Sequence, residues 1–250
     1  MPKPLPQMGS PDWANSIFST PPVRALKGHS KRTQLHRHYS IRLNQFIEVQ
    51  GRNEACTVLA IEYLICLGFL KRVKPQPFIT DAKIFGNEIC PDFLAEATFQ
   101  ENLLFVIETK SARFLTRIKN LELDSYRERF ADANIRYLVW TDQRPLSHPV
   151  RHHLINMRAS AQRDVTEAEM QSLVTWIKTT RNPVMENFYS DGFDLDCLYA
   201  AAWEGHVFFK LTQPFTAMTV LACEPLEDYK AIFLDCENSV DDWWKSLPNC

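Results

Sequence analysis

The chain has 250 residues, 45% of them hydrophobic and 12% aromatic, enough for one or two globular cores. Its formal net charge is −2, so any contact with nucleic acid must come from local basic clusters and not from the overall charge. Seven cysteines without a C-x-x-C pair argue against a zinc ribbon or a disulfide framework and fit reduced thiols in a cytoplasmic protein, and no Gly-rich phosphate loop, G-x-S-x-G elbow, internal repeat, signal peptide or membrane-length apolar run appears.

Residues 1 to 22 are rich in proline and polar groups and read as an arm or disordered lead. Arg24, Lys27, Lys31, Arg32, Arg37 and Arg42 follow, with His29, His36 and His38 among them and almost no acids. Such a stretch can lie along phosphates. Residues 1–40 are therefore expected to form a basic, extended N-terminal arm.

Gln50-Gly51-Arg52-Asn53 has the composition of a cap, with Asn53 as N-cap of a helix over the apolar run Glu54 to Leu70. Glu54, Val58, Ile61 and Ile65 share one helical face, so the Glu54 carboxylate projects from a core-facing stripe. A first-turn acid favoured by the helix dipole explains that glutamate, and so does a functional carboxylate. Glu62 is expected at an edge or in solvent.

Residues 81 to 110 read as a strand meander, with Phe85-Gly86-Asn87-Glu88 as a turn and Asp92 opening an apolar segment that runs to Phe99. In an extended Leu103–Lys110, Leu104, Val106, Glu108 and Lys110 share one face while Leu103, Phe105 and Ile107 share the other. A strand apolar on both sides belongs in the interior of an α/β sheet. Glu108 and Lys110 at its end need a partner, because unpaired charges there are costly. A solvent-accessible salt bridge is one answer and a metal site another. If the meander brings Asp92 beside Glu108, the two carboxylates repel, and a divalent cation neutralises them. All-oxygen ligation selects Mg²⁺, with Mn²⁺ as substitute. Lys110 would then position the attacking water or stabilise charge on a phosphate oxygen.

Phe114, Ile118, Leu121 and Phe130 recur near helical spacing over residues 112–131 and predict a helix packed on the sheet, with Arg113, Arg117, Lys119, Arg127 and Arg129 adding positive charge. The strand Ile135 to Thr141 follows, its Tyr137 and Trp140 expected as core or edge aromatics. Pro149-Val150-Arg151 leads into another helix, with His152 and His153 expected at the surface. After the polar break Ser160 to Asp164, Thr166 precedes Glu167 and Glu169 as an N-cap for Met170, Leu173, Val174 and Ile177. Asp194 to Glu204 predicts a further helix, and Gly205 to Leu211 with Thr219 to Leu221 predicts a hairpin. Helices followed by a two-stranded wing suggest a winged-helix-like module over residues 161–250. Its low basic charge favours docking to protein, and its tail is acidic, from Glu224 to Asp242.

The order Glu54, Pro91-Asp92, Glu108-Thr109-Lys110, spread over a helix and then a meander, resembles the PD-(D/E)xK nuclease superfamily. Within it, the acid-led helix, the Lys74-Pro75-Gln76-Pro77-Phe78 entry to the sheet, Pro91-Asp92-Phe93-Leu94 and the later helix and strand resemble TnsA, the endonuclease subunit of heteromeric transposases, over roughly residues 40 to 160. The resemblance implies an α/β restriction-endonuclease-like domain at residues 41–160, with a mixed sheet flanked by helices, that cuts the 5′ strand at transposon ends. It implies a Mg²⁺ site made by Glu54, Asp92, Glu108 and the Thr109 carbonyl, and Lys110 as catalytic lysine. Lys31, Arg32, Arg37, Arg42, Arg113 and Arg117 are the expected DNA contacts. The implied partners are a DDE-type transposase (TnsB-like) and, through the C-terminal module, an AAA+ ATPase regulator (TnsC-like). Some members of that family carry glutamine where Glu108 stands. A stand-alone restriction or defence nuclease and an inactive nuclease-fold adaptor are the alternatives.

Overall fold

The computed structural model describes residues 7–23, 35–40 and 42–235. The chain divides into two compact units, Met1–Arg144 and Pro145–Cys250, each treated separately below.

The first unit is built on a four-stranded mixed sheet, β3 (Leu70–Pro75), β4 (Phe93–Ala97), β5 (Leu104–Lys110) and β6 (Ile135–Thr141), in that spatial order. Both β3/β4 and β4/β5 are antiparallel, while β5/β6 is parallel. A parallel pair needs a crossover, and α4 (Arg117–Asp132) supplies it. Before the sheet come α1 (Pro11–Ser19), the hairpin β1 (Leu35–Ser40) and β2 (Gln45–Gln50), and α2 (Arg52–Cys66). A one-turn α3 (Ala82–Phe85) leads to β4, and a 3₁₀ turn (Ala112–Phe114) separates β5 from α4.

Alternation on β5 assigns the two faces. Leu104 and Val106 join Leu94, Ile135 and Tyr137 in a core closed by Leu123, Tyr126 and Phe130 of α4 and by Phe78 and Phe85. The opposite face meets α2, where the Thr57 and Thr109 hydroxyls lie 2.9 Å apart. The unit is thus an α/β layer structure with helices on both faces of a mixed sheet.

Several expectations need correction. The supposed lead contains α1, capped by Ser10 with Pro11 at its first position, and Ala14 is buried in the sheet core with Trp13 edge-on to Phe78 at 5.1 Å. Gly9, at φ +82°, lies so close to the Ala133 carbonyl that a Cβ there would sit 1.8 Å from its oxygen. Residues 35–40 form a strand and not an extended arm; Lys31 and Arg32 lie outside the described residues. Helix α2 is capped by Gly51 at φ 96°, two residues before the expected Asn53, and ends at Cys66, where Gly68 at φ 70° turns the chain into β3. The meander consists of β3, β4 and β5, with a helical turn at residues 82–85 where strand was expected. Lys74 and Pro75 end β3 and do not precede the sheet. On α4, Phe130 is buried as expected, but Phe114, Ile118 and Leu121 are exposed, because the helix turns Leu123, Tyr126 and Phe130 to the sheet instead.

The second unit is mainly helical: α5 (His148–Ser160), α6 (Glu167–Thr179), α7 (Met185–Ser190), α8 (Leu195–Trp203) and α9 (Tyr229–Leu234). Residues 145–160, expected in the first domain, belong here because α5 packs its Val150, Leu154 and Met157 face in this unit, against α8. Helix α6 starts with a full capping box between Thr166 and Glu169, and Asp194 caps α8. The expected hairpin is reduced to isolated bridges, Phe208 to Ala222 and Val184 to Val220. His153 is buried, not at the surface: its Nε2 lies 2.8 Å from the Gln213 carbonyl oxygen amid Tyr199, Phe209 and Phe215, and burial pulls its pKa down. Among the described residues no helix is long and apolar enough to cross a membrane.

Candidate active site

In β4/β5, Phe93 pairs with Ile107, so one further step along this antiparallel register sets Asp92 opposite Glu108. The two acids of the sequence pattern therefore meet at one end of the sheet, through the pairing itself. Asp92 Oδ2 accepts a hydrogen bond from the Thr109 N–H at 2.7 Å, which fixes its carboxyl against the end of β5. Lys110 donates to the Glu108 carboxylate, its partner two residues away on the same face of the strand.

Glu54 arrives from the other side, on the first turn of α2. Its Oε2 accepts from the Gln50 N–H at 2.9 Å, closing the sharp entry at Gly51 in place of a side-chain cap on the helix. One turn later the Thr57–Thr109 hydroxyl contact ties α2 to β5 between Glu108 and Lys110.

The Asp92 carboxyl is pushed well above its ordinary value, first by burial, then by Glu108 and Glu54; the Thr109 N–H and Lys110 pull it back only in part. Burial is also the largest influence on Lys110 and pulls its pKa down, but the combined pull of Glu108, Asp92 and Glu54 raises it overall. Tyr137, on the neighbouring strand, is held protonated by burial and then by Glu108 and Asp92. Glu54, Glu108 and Lys110 thus all act on the Asp92 carboxyl.

The oxygen donor set suits a hard cation in kind. In the arrangement shown, each carboxylate is turned to a protein donor, and among the described residues no three His, Cys, Asp or Glu side chains stand in a group able to hold a metal ion. The observation that fits a cation is the placement of Asp92 opposite Glu108 at the end of the sheet, with the Asp92 oxygen fixed by the Thr109 N–H.

The expected DNA contacts divide by position. Arg113 and Arg117 are exposed on the segment that leaves β5, with the Arg113 guanidinium 4.6 Å from the centre of the Phe114 ring. Arg37 lies on the β1–β2 hairpin, 4.1 Å over the Phe46 ring and near Glu48, and Arg42 sits in the turn of that hairpin.

Glu62, expected at an edge or in solvent, is 2% exposed. Its two oxygens meet His38 Nε2 at 2.8 Å and the Ser40 hydroxyl at 3.0 Å, so it anchors the hairpin to α2. Asp142 was not singled out from the sequence, yet its carboxylate accepts from the Ser111 hydroxyl at 3.0 Å and the Ala112 N–H at 2.8 Å, which fixes the chain directly after Lys110. An acid closing a strand beside the end of a parallel neighbour was the available signal. The chain matches no known family model, and no curated protein matches it.

Proposed function

We propose that this chain is a Mg²⁺-dependent DNA endonuclease of the PD-(D/E)xK type, and that it acts as the TnsA-like subunit cutting the 5′ strand at transposon ends with a DDE-type partner transposase. The observation that carries the reading is the pairing of Asp92 with Glu108 in the β4/β5 register, with Lys110 on the same strand and Glu54 acting on the same carboxyl. The first unit is read as restriction-endonuclease-like. The helical second unit is read as a winged-helix-like docking module for an AAA+ regulator.

Asp92, Glu108, Glu54 and the Thr109 carbonyl would hold the ion, which when bound supplies Lewis-acid stabilisation of the phosphate. Lys110 supplies a cation whose protonated form is reinforced by the acids around it. Its ammonium can stabilise the charge that grows on the phosphoryl oxygens or orient the attacking water. The Thr109 N–H and the Thr57 hydroxyl hold the Asp92 carboxyl and the end of β5 in place. Arg113 and Arg117 add cations along the path out of the site.

The test is strand-resolved cleavage of a duplex carrying the element's end, with Mg²⁺ or Mn²⁺, by the wild type alone, by the wild type with its cognate transposase, and by Asp92→Ala. Metal-dependent cutting of the 5′ strand only with the transposase is the expected result. Cutting alone would make it a free-standing nuclease, and no cutting in an assembled complex would leave an adaptor.

A further inference from the structure

Results

Sequence analysis

The chain has 250 residues, 45% of them hydrophobic and 12% aromatic, enough for one or two globular cores. Its formal net charge is −2, so any contact with nucleic acid must come from local basic clusters and not from the overall charge. Seven cysteines without a C-x-x-C pair argue against a zinc ribbon or a disulfide framework and fit reduced thiols in a cytoplasmic protein; no Gly-rich phosphate loop, G-x-S-x-G elbow, internal repeat, signal peptide or membrane-length apolar run appears.

Residues 1 to 22 are rich in proline and polar groups and read as an arm or disordered lead. Arg24, Lys27, Lys31, Arg32, Arg37 and Arg42 follow, with His29, His36 and His38 among them and almost no acids. Such a stretch can lie along phosphates. Residues 1–40 are therefore expected to form a basic, extended N-terminal arm.

Gln50-Gly51-Arg52-Asn53 has the composition of a cap, with Asn53 as N-cap of a helix over the apolar run Glu54 to Leu70. Glu54, Val58, Ile61 and Ile65 share one helical face, so the Glu54 carboxylate projects from a core-facing stripe. A first-turn acid favoured by the helix dipole explains that glutamate, and so does a functional carboxylate. Glu62 is expected at an edge or in solvent.

Residues 81 to 110 read as a strand meander, with Phe85-Gly86-Asn87-Glu88 as a turn and Asp92 opening an apolar segment that runs to Phe99. In an extended Leu103–Lys110, Leu104, Val106, Glu108 and Lys110 share one face while Leu103, Phe105 and Ile107 share the other. A strand apolar on both sides belongs in the interior of an α/β sheet. Glu108 and Lys110 at its end need a partner, because unpaired charges there are costly. A solvent-accessible salt bridge is one answer and a metal site another. If the meander brings Asp92 beside Glu108, the two carboxylates repel, and a divalent cation neutralises them. All-oxygen ligation selects Mg²⁺, with Mn²⁺ as substitute. Lys110 would then position the attacking water or stabilise charge on a phosphate oxygen.

Phe114, Ile118, Leu121 and Phe130 recur near helical spacing over residues 112–131 and predict a helix packed on the sheet, with Arg113, Arg117, Lys119, Arg127 and Arg129 adding positive charge. The strand Ile135 to Thr141 follows, its Tyr137 and Trp140 expected as core or edge aromatics. Pro149-Val150-Arg151 leads into another helix, with His152 and His153 expected at the surface. After the polar break Ser160 to Asp164, Thr166 precedes Glu167 and Glu169 as an N-cap for Met170, Leu173, Val174 and Ile177. Asp194 to Glu204 predicts a further helix, and Gly205 to Leu211 with Thr219 to Leu221 predicts a hairpin. Helices followed by a two-stranded wing suggest a winged-helix-like module over residues 161–250. Its low basic charge favours docking to protein, and its tail, with Glu224, Glu227, Asp228, Asp235, Glu237, Asp241 and Asp242, is acidic.

The order Glu54, Pro91-Asp92, Glu108-Thr109-Lys110, spread over a helix and then a meander, resembles the PD-(D/E)xK nuclease superfamily. Within it, the acid-led helix, the Lys74-Pro75-Gln76-Pro77-Phe78 entry to the sheet, Pro91-Asp92-Phe93-Leu94 and the later helix and strand resemble TnsA, the endonuclease subunit of heteromeric transposases, over roughly residues 40 to 160. The resemblance implies an α/β restriction-endonuclease-like domain at residues 41–160, with a mixed sheet flanked by helices, that cuts the 5′ strand at transposon ends. It implies a Mg²⁺ site made by Glu54, Asp92, Glu108 and the Thr109 carbonyl, and Lys110 as catalytic lysine. Lys31, Arg32, Arg37, Arg42, Arg113 and Arg117 are the expected DNA contacts. The implied partners are a DDE-type transposase (TnsB-like) and, through the C-terminal module, an AAA+ ATPase regulator (TnsC-like). Some members of that family carry glutamine where Glu108 stands. A stand-alone restriction or defence nuclease and an inactive nuclease-fold adaptor are the alternatives.

Overall fold

The computed structural model describes residues 7–23, 35–40 and 42–235. The chain divides into two compact units, Met1–Arg144 and Pro145–Cys250, each treated by itself below.

The first unit is built on a four-stranded mixed sheet, β3 (Leu70–Pro75), β4 (Phe93–Ala97), β5 (Leu104–Lys110) and β6 (Ile135–Thr141), in that spatial order. Both β3/β4 and β4/β5 are antiparallel, while β5/β6 is parallel. A parallel pair needs a crossover, and α4 (Arg117–Asp132) supplies it. Before the sheet come α1 (Pro11–Ser19), the hairpin β1 (Leu35–Ser40) and β2 (Gln45–Gln50), and α2 (Arg52–Cys66). A one-turn α3 (Ala82–Phe85) leads to β4, and a 3₁₀ turn (Ala112–Phe114) separates β5 from α4.

Alternation on β5 assigns the two faces. Leu104 and Val106 join Leu94, Ile135 and Tyr137 in a core closed by Leu123, Tyr126 and Phe130 of α4 and by Phe78 and Phe85. The opposite face meets α2, where the Thr57 and Thr109 hydroxyls lie 2.9 Å apart. The unit is thus an α/β layer structure with helices on both faces of a mixed sheet.

Several expectations need correction. The supposed lead contains α1, capped by Ser10 with Pro11 at its first position, and Ala14 is buried in the sheet core with Trp13 edge-on to Phe78 at 5.1 Å. Gly9, at φ +82°, lies so close to Ala133 that a Cβ there would sit 1.8 Å from the carbonyl oxygen. Residues 35–40 form a paired strand and not an extended arm; Lys31 and Arg32 lie outside the described residues. Helix α2 is capped by Gly51 at φ 96°, two residues before the expected Asn53, and ends at Cys66, where Gly68 at φ 70° turns the chain toward β3. The meander consists of β3, β4 and β5, with a helical turn at Ala82–Phe85 where strand was expected. Lys74 and Pro75 end β3 and do not precede the sheet. Phe130 is buried as expected, but Phe114, Ile118 and Leu121 are exposed, because α4 turns Leu123, Tyr126 and Phe130 to the sheet instead.

The second unit is mainly helical: α5 (His148–Ser160), α6 (Glu167–Thr179), α7 (Met185–Ser190), α8 (Leu195–Trp203) and α9 (Tyr229–Leu234). Residues 145–160, expected in the first domain, belong here, because α5, with Val150, Leu154 and Met157 buried, packs with α8. Helix α6 starts with a full capping box between Thr166 and Glu169, and Asp194 caps α8. The expected hairpin is reduced to isolated bridges, Phe208 to Ala222 and Val184 to Val220. His153 is buried and not at the surface. Its Nε2 lies 2.8 Å from the Gln213 carbonyl oxygen amid Tyr199, Phe209 and Phe215, and burial pulls its pKa down. Among the described residues no helix is long and apolar enough to cross a membrane.

Candidate active site

In β4/β5, Phe93 pairs with Ile107, so one further step along this antiparallel register sets Asp92 opposite Glu108. Strand pairing itself therefore brings the two acids of the sequence pattern to one end of the sheet. Asp92 Oδ2 accepts a hydrogen bond from the Thr109 N–H at 2.7 Å, which fixes its carboxyl against the end of β5. Lys110 donates to the Glu108 carboxylate, its neighbour on the same face of the strand.

Glu54 arrives on the first turn of α2. Its Oε2 accepts from the Gln50 N–H at 2.9 Å, closing the sharp helix entry at Gly51, which has no side-chain cap of its own. One turn later the Thr57–Thr109 hydroxyl contact ties α2 to β5 between Glu108 and Lys110.

The acids also influence one another's charge. The Asp92 carboxyl is pushed well above its ordinary value, first by burial, then by Glu108 and Glu54; the Thr109 N–H and Lys110 pull it back only in part. Burial is also the largest influence on Lys110 and pulls its pKa down, but Glu108, Asp92 and Glu54 together raise it overall. Tyr137, on the neighbouring strand, is held protonated by burial and then by Glu108 and Asp92. Glu54, Glu108 and Lys110 thus all act on the Asp92 carboxyl.

The oxygen donor set suits a hard cation in kind. In the arrangement shown, each carboxylate is turned to a protein donor, and among the described residues no three His, Cys, Asp or Glu side chains stand in a group able to hold a metal ion. The observation that fits a cation is the placement of Asp92 opposite Glu108 at the end of the sheet, with the Asp92 oxygen fixed by the Thr109 N–H.

The expected DNA contacts divide by position. Arg113 and Arg117 are exposed on the segment that leaves β5, with the Arg113 guanidinium 4.6 Å from the centre of the Phe114 ring. Arg37 lies on the β1–β2 hairpin, 4.1 Å over the Phe46 ring and 3.5 Å from Glu48, and Arg42 sits in the turn of that hairpin.

Glu62, expected at an edge or in solvent, is 2% exposed. Its two oxygens meet His38 Nε2 at 2.8 Å and the Ser40 hydroxyl at 3.0 Å, so it anchors the hairpin to α2. Asp142 is a further carboxylate beside the site that no motif marks. That carboxylate accepts from the Ser111 hydroxyl at 3.0 Å and the Ala112 N–H at 2.8 Å, which fixes the chain directly after Lys110. The available signal was an acid closing the strand that follows the crossover helix. The chain matches no known family model, and no curated protein matches it.

Proposed function

We propose that this chain is a Mg²⁺-dependent DNA endonuclease of the PD-(D/E)xK type, and that it acts as a TnsA-like subunit cutting the 5′ strand at transposon ends with a DDE-type partner transposase. The observation that carries the reading is the placement of Asp92 opposite Glu108, with Lys110 on the same strand and Glu54 acting on the same carboxyl. The first unit is read as restriction-endonuclease-like, and the helical second unit as a winged-helix-like docking module for an AAA+ regulator.

Asp92, Glu108, Glu54 and the Thr109 carbonyl would hold the ion, which when bound supplies Lewis-acid stabilisation of the phosphate. Lys110 contributes a cation whose protonated form is reinforced by the acids around it. Its ammonium can stabilise the charge that grows on the phosphoryl oxygens or orient the attacking water. The Thr109 N–H and the Thr57 hydroxyl hold the Asp92 carboxyl and the end of β5 in place. Arg113 and Arg117 add cations along the path out of the site.

The test is strand-resolved cleavage of a duplex carrying the element's end, with Mg²⁺ or Mn²⁺, by the wild type alone, by the wild type with its cognate transposase, and by Asp92→Ala. Metal-dependent cutting of the 5′ strand only with the transposase is the expected result. Cutting alone would make the chain a free-standing nuclease, and no cutting in an assembled complex would leave an adaptor.

A further inference from the structure

The segment that leaves the acid cluster carries no acid between Glu108 and Glu122, and its cations are Lys110, Arg113, Arg117 and Lys119. Interleaved with them are three large apolar side chains that the fold leaves in solvent: Phe114 at 61%, Ile118 at 80% and Leu121 at 63% exposure. The sheet core is already served from this segment and the helix behind it by Leu115, Leu123, Tyr126 and Phe130. Ile118 and Leu121 are neighbours on the first two turns of α4, and Phe114 stands in the 3₁₀ turn just before them. Exposed apolar side chains grouped in this way mark a contact surface.

The surface is held in place. Asp142 grips Ser111 and Ala112, Thr116 caps α4 at the Lys119 N–H, and the Arg113 guanidinium lies over the Phe114 ring. It also borders the acid cluster. The Glu122 carboxyl, on the second turn of α4, is held below its usual range first by Lys119, then by Tyr126, and more weakly by Lys110. Arg117 and Lys119 occupy the first turn of α4, which has no acid. That is the end where the helix dipole disfavours cations, and a polyanion lying there offsets the repulsion.

We propose that Phe114, Ile118 and Leu121 form an apolar contact face for DNA next to the scissile phosphate, framed by Arg113 and Arg117. The proposal rests on the nuclease reading. Residues 111–121 directly follow Lys110 of the acid cluster, so a strand with one phosphate there can run over them. There the arginines take neighbouring phosphates, while the ring and the two aliphatic side chains meet sugar and base surface in the groove or at an unstacked step. Apolar contacts release no counterions, so they separate from the arginine contacts by their salt dependence.

The full-length chain in EDTA is titrated onto a fluorescein-labelled duplex over a range of salt concentrations, and anisotropy is read. Phe114→Ala and the double change Ile118→Ser/Leu121→Ser are expected to weaken binding about tenfold with an unchanged salt slope. Arg113→Gln and Arg117→Gln should each lower that slope by about one. The apolar changes remove exposed groups, so an unchanged melting temperature separates lost contact from lost fold. Undiminished affinity of the apolar variants beside a wild type that binds would overturn the face and return these residues to a protein partner. A wild type that does not bind the duplex would overturn the face as well. In either case the cleavage assay above decides the nuclease reading independently.

Discussion

Glu62 and Asp92 are two enclosed carboxyls of the first unit, and the protein treats them in opposite ways. Glu62 is met by the His38 ring and the Ser40 hydroxyl from the hairpin packed against its helix. Asp92 also receives a donor, the Thr109 N–H, but it is set against Glu108 and Glu54, and its carboxyl is forced upward in pKa. A carboxylate with its own protein donors holds a fold together. A desolvated carboxyl among like charges weakens the fold until something positive arrives.

The two carboxyls should differ most in activity. Lys110→Ala and Asp92→Ala should each lower metal-dependent cleavage by at least about a hundredfold, with unchanged circular dichroism. Cleavage within a few-fold of wild type in either variant would remove that residue from the chemistry. Glu62→Ala should act on stability instead: leaving His38 and Ser40 facing a buried gap is expected to cost about 3 kcal/mol in urea unfolding. A loss near zero would make the Glu62 anchor incidental.

Asp92→Asn should move stability the other way. Because the folded-state pKa of Asp92 is raised above the ordinary 3.8, the folded chain holds this proton more tightly than the unfolded chain does. Stability from this group is therefore present below about pH 3.8 and is lost as pH rises through the raised value. Melting temperatures followed from acid to neutral pH should show the wild type falling relative to Asp92→Asn; parallel curves would refute the charge crowding. The smallest effect is expected from Thr57→Val, which leaves the Thr109 hydroxyl without its partner on α2 and should cost about 1 kcal/mol in the same urea assay.

What the sequence reveals of this architecture depends on how local each determinant is. Two-sided apolar alternation predicts β5, and the Thr166/Glu169 capping box predicts α6, because both are written within one element. The opposition of Asp92 and Glu108 is also accessible, since a short antiparallel connection limits the register. Glu62 misleads because its partners His38 and Ser40 lie far upstream on a hairpin whose docking no helical periodicity announces. Residues 1 to 22 mislead through composition: proline and polar residues suggest a loose lead, while Ser10-Pro11 is a helix start that buries Ala14. On α4 two apolar stripes compete, and only the tertiary fold decides that Leu123, Tyr126 and Phe130 face the sheet while Ile118 and Leu121 face out. His153 fails for a similar reason, its ring being enclosed by aromatics from other segments.

The proposed function requires Glu54, Asp92 and Glu108 to be a cation site. Calorimetric titration of Mn²⁺ into the full chain at neutral pH, with melting temperatures taken alongside, tests it most directly. Binding to the wild type with a rise in melting temperature is expected, with loss of both in Asp92→Asn. Equal binding by the variant, or none by the wild type, would contradict it.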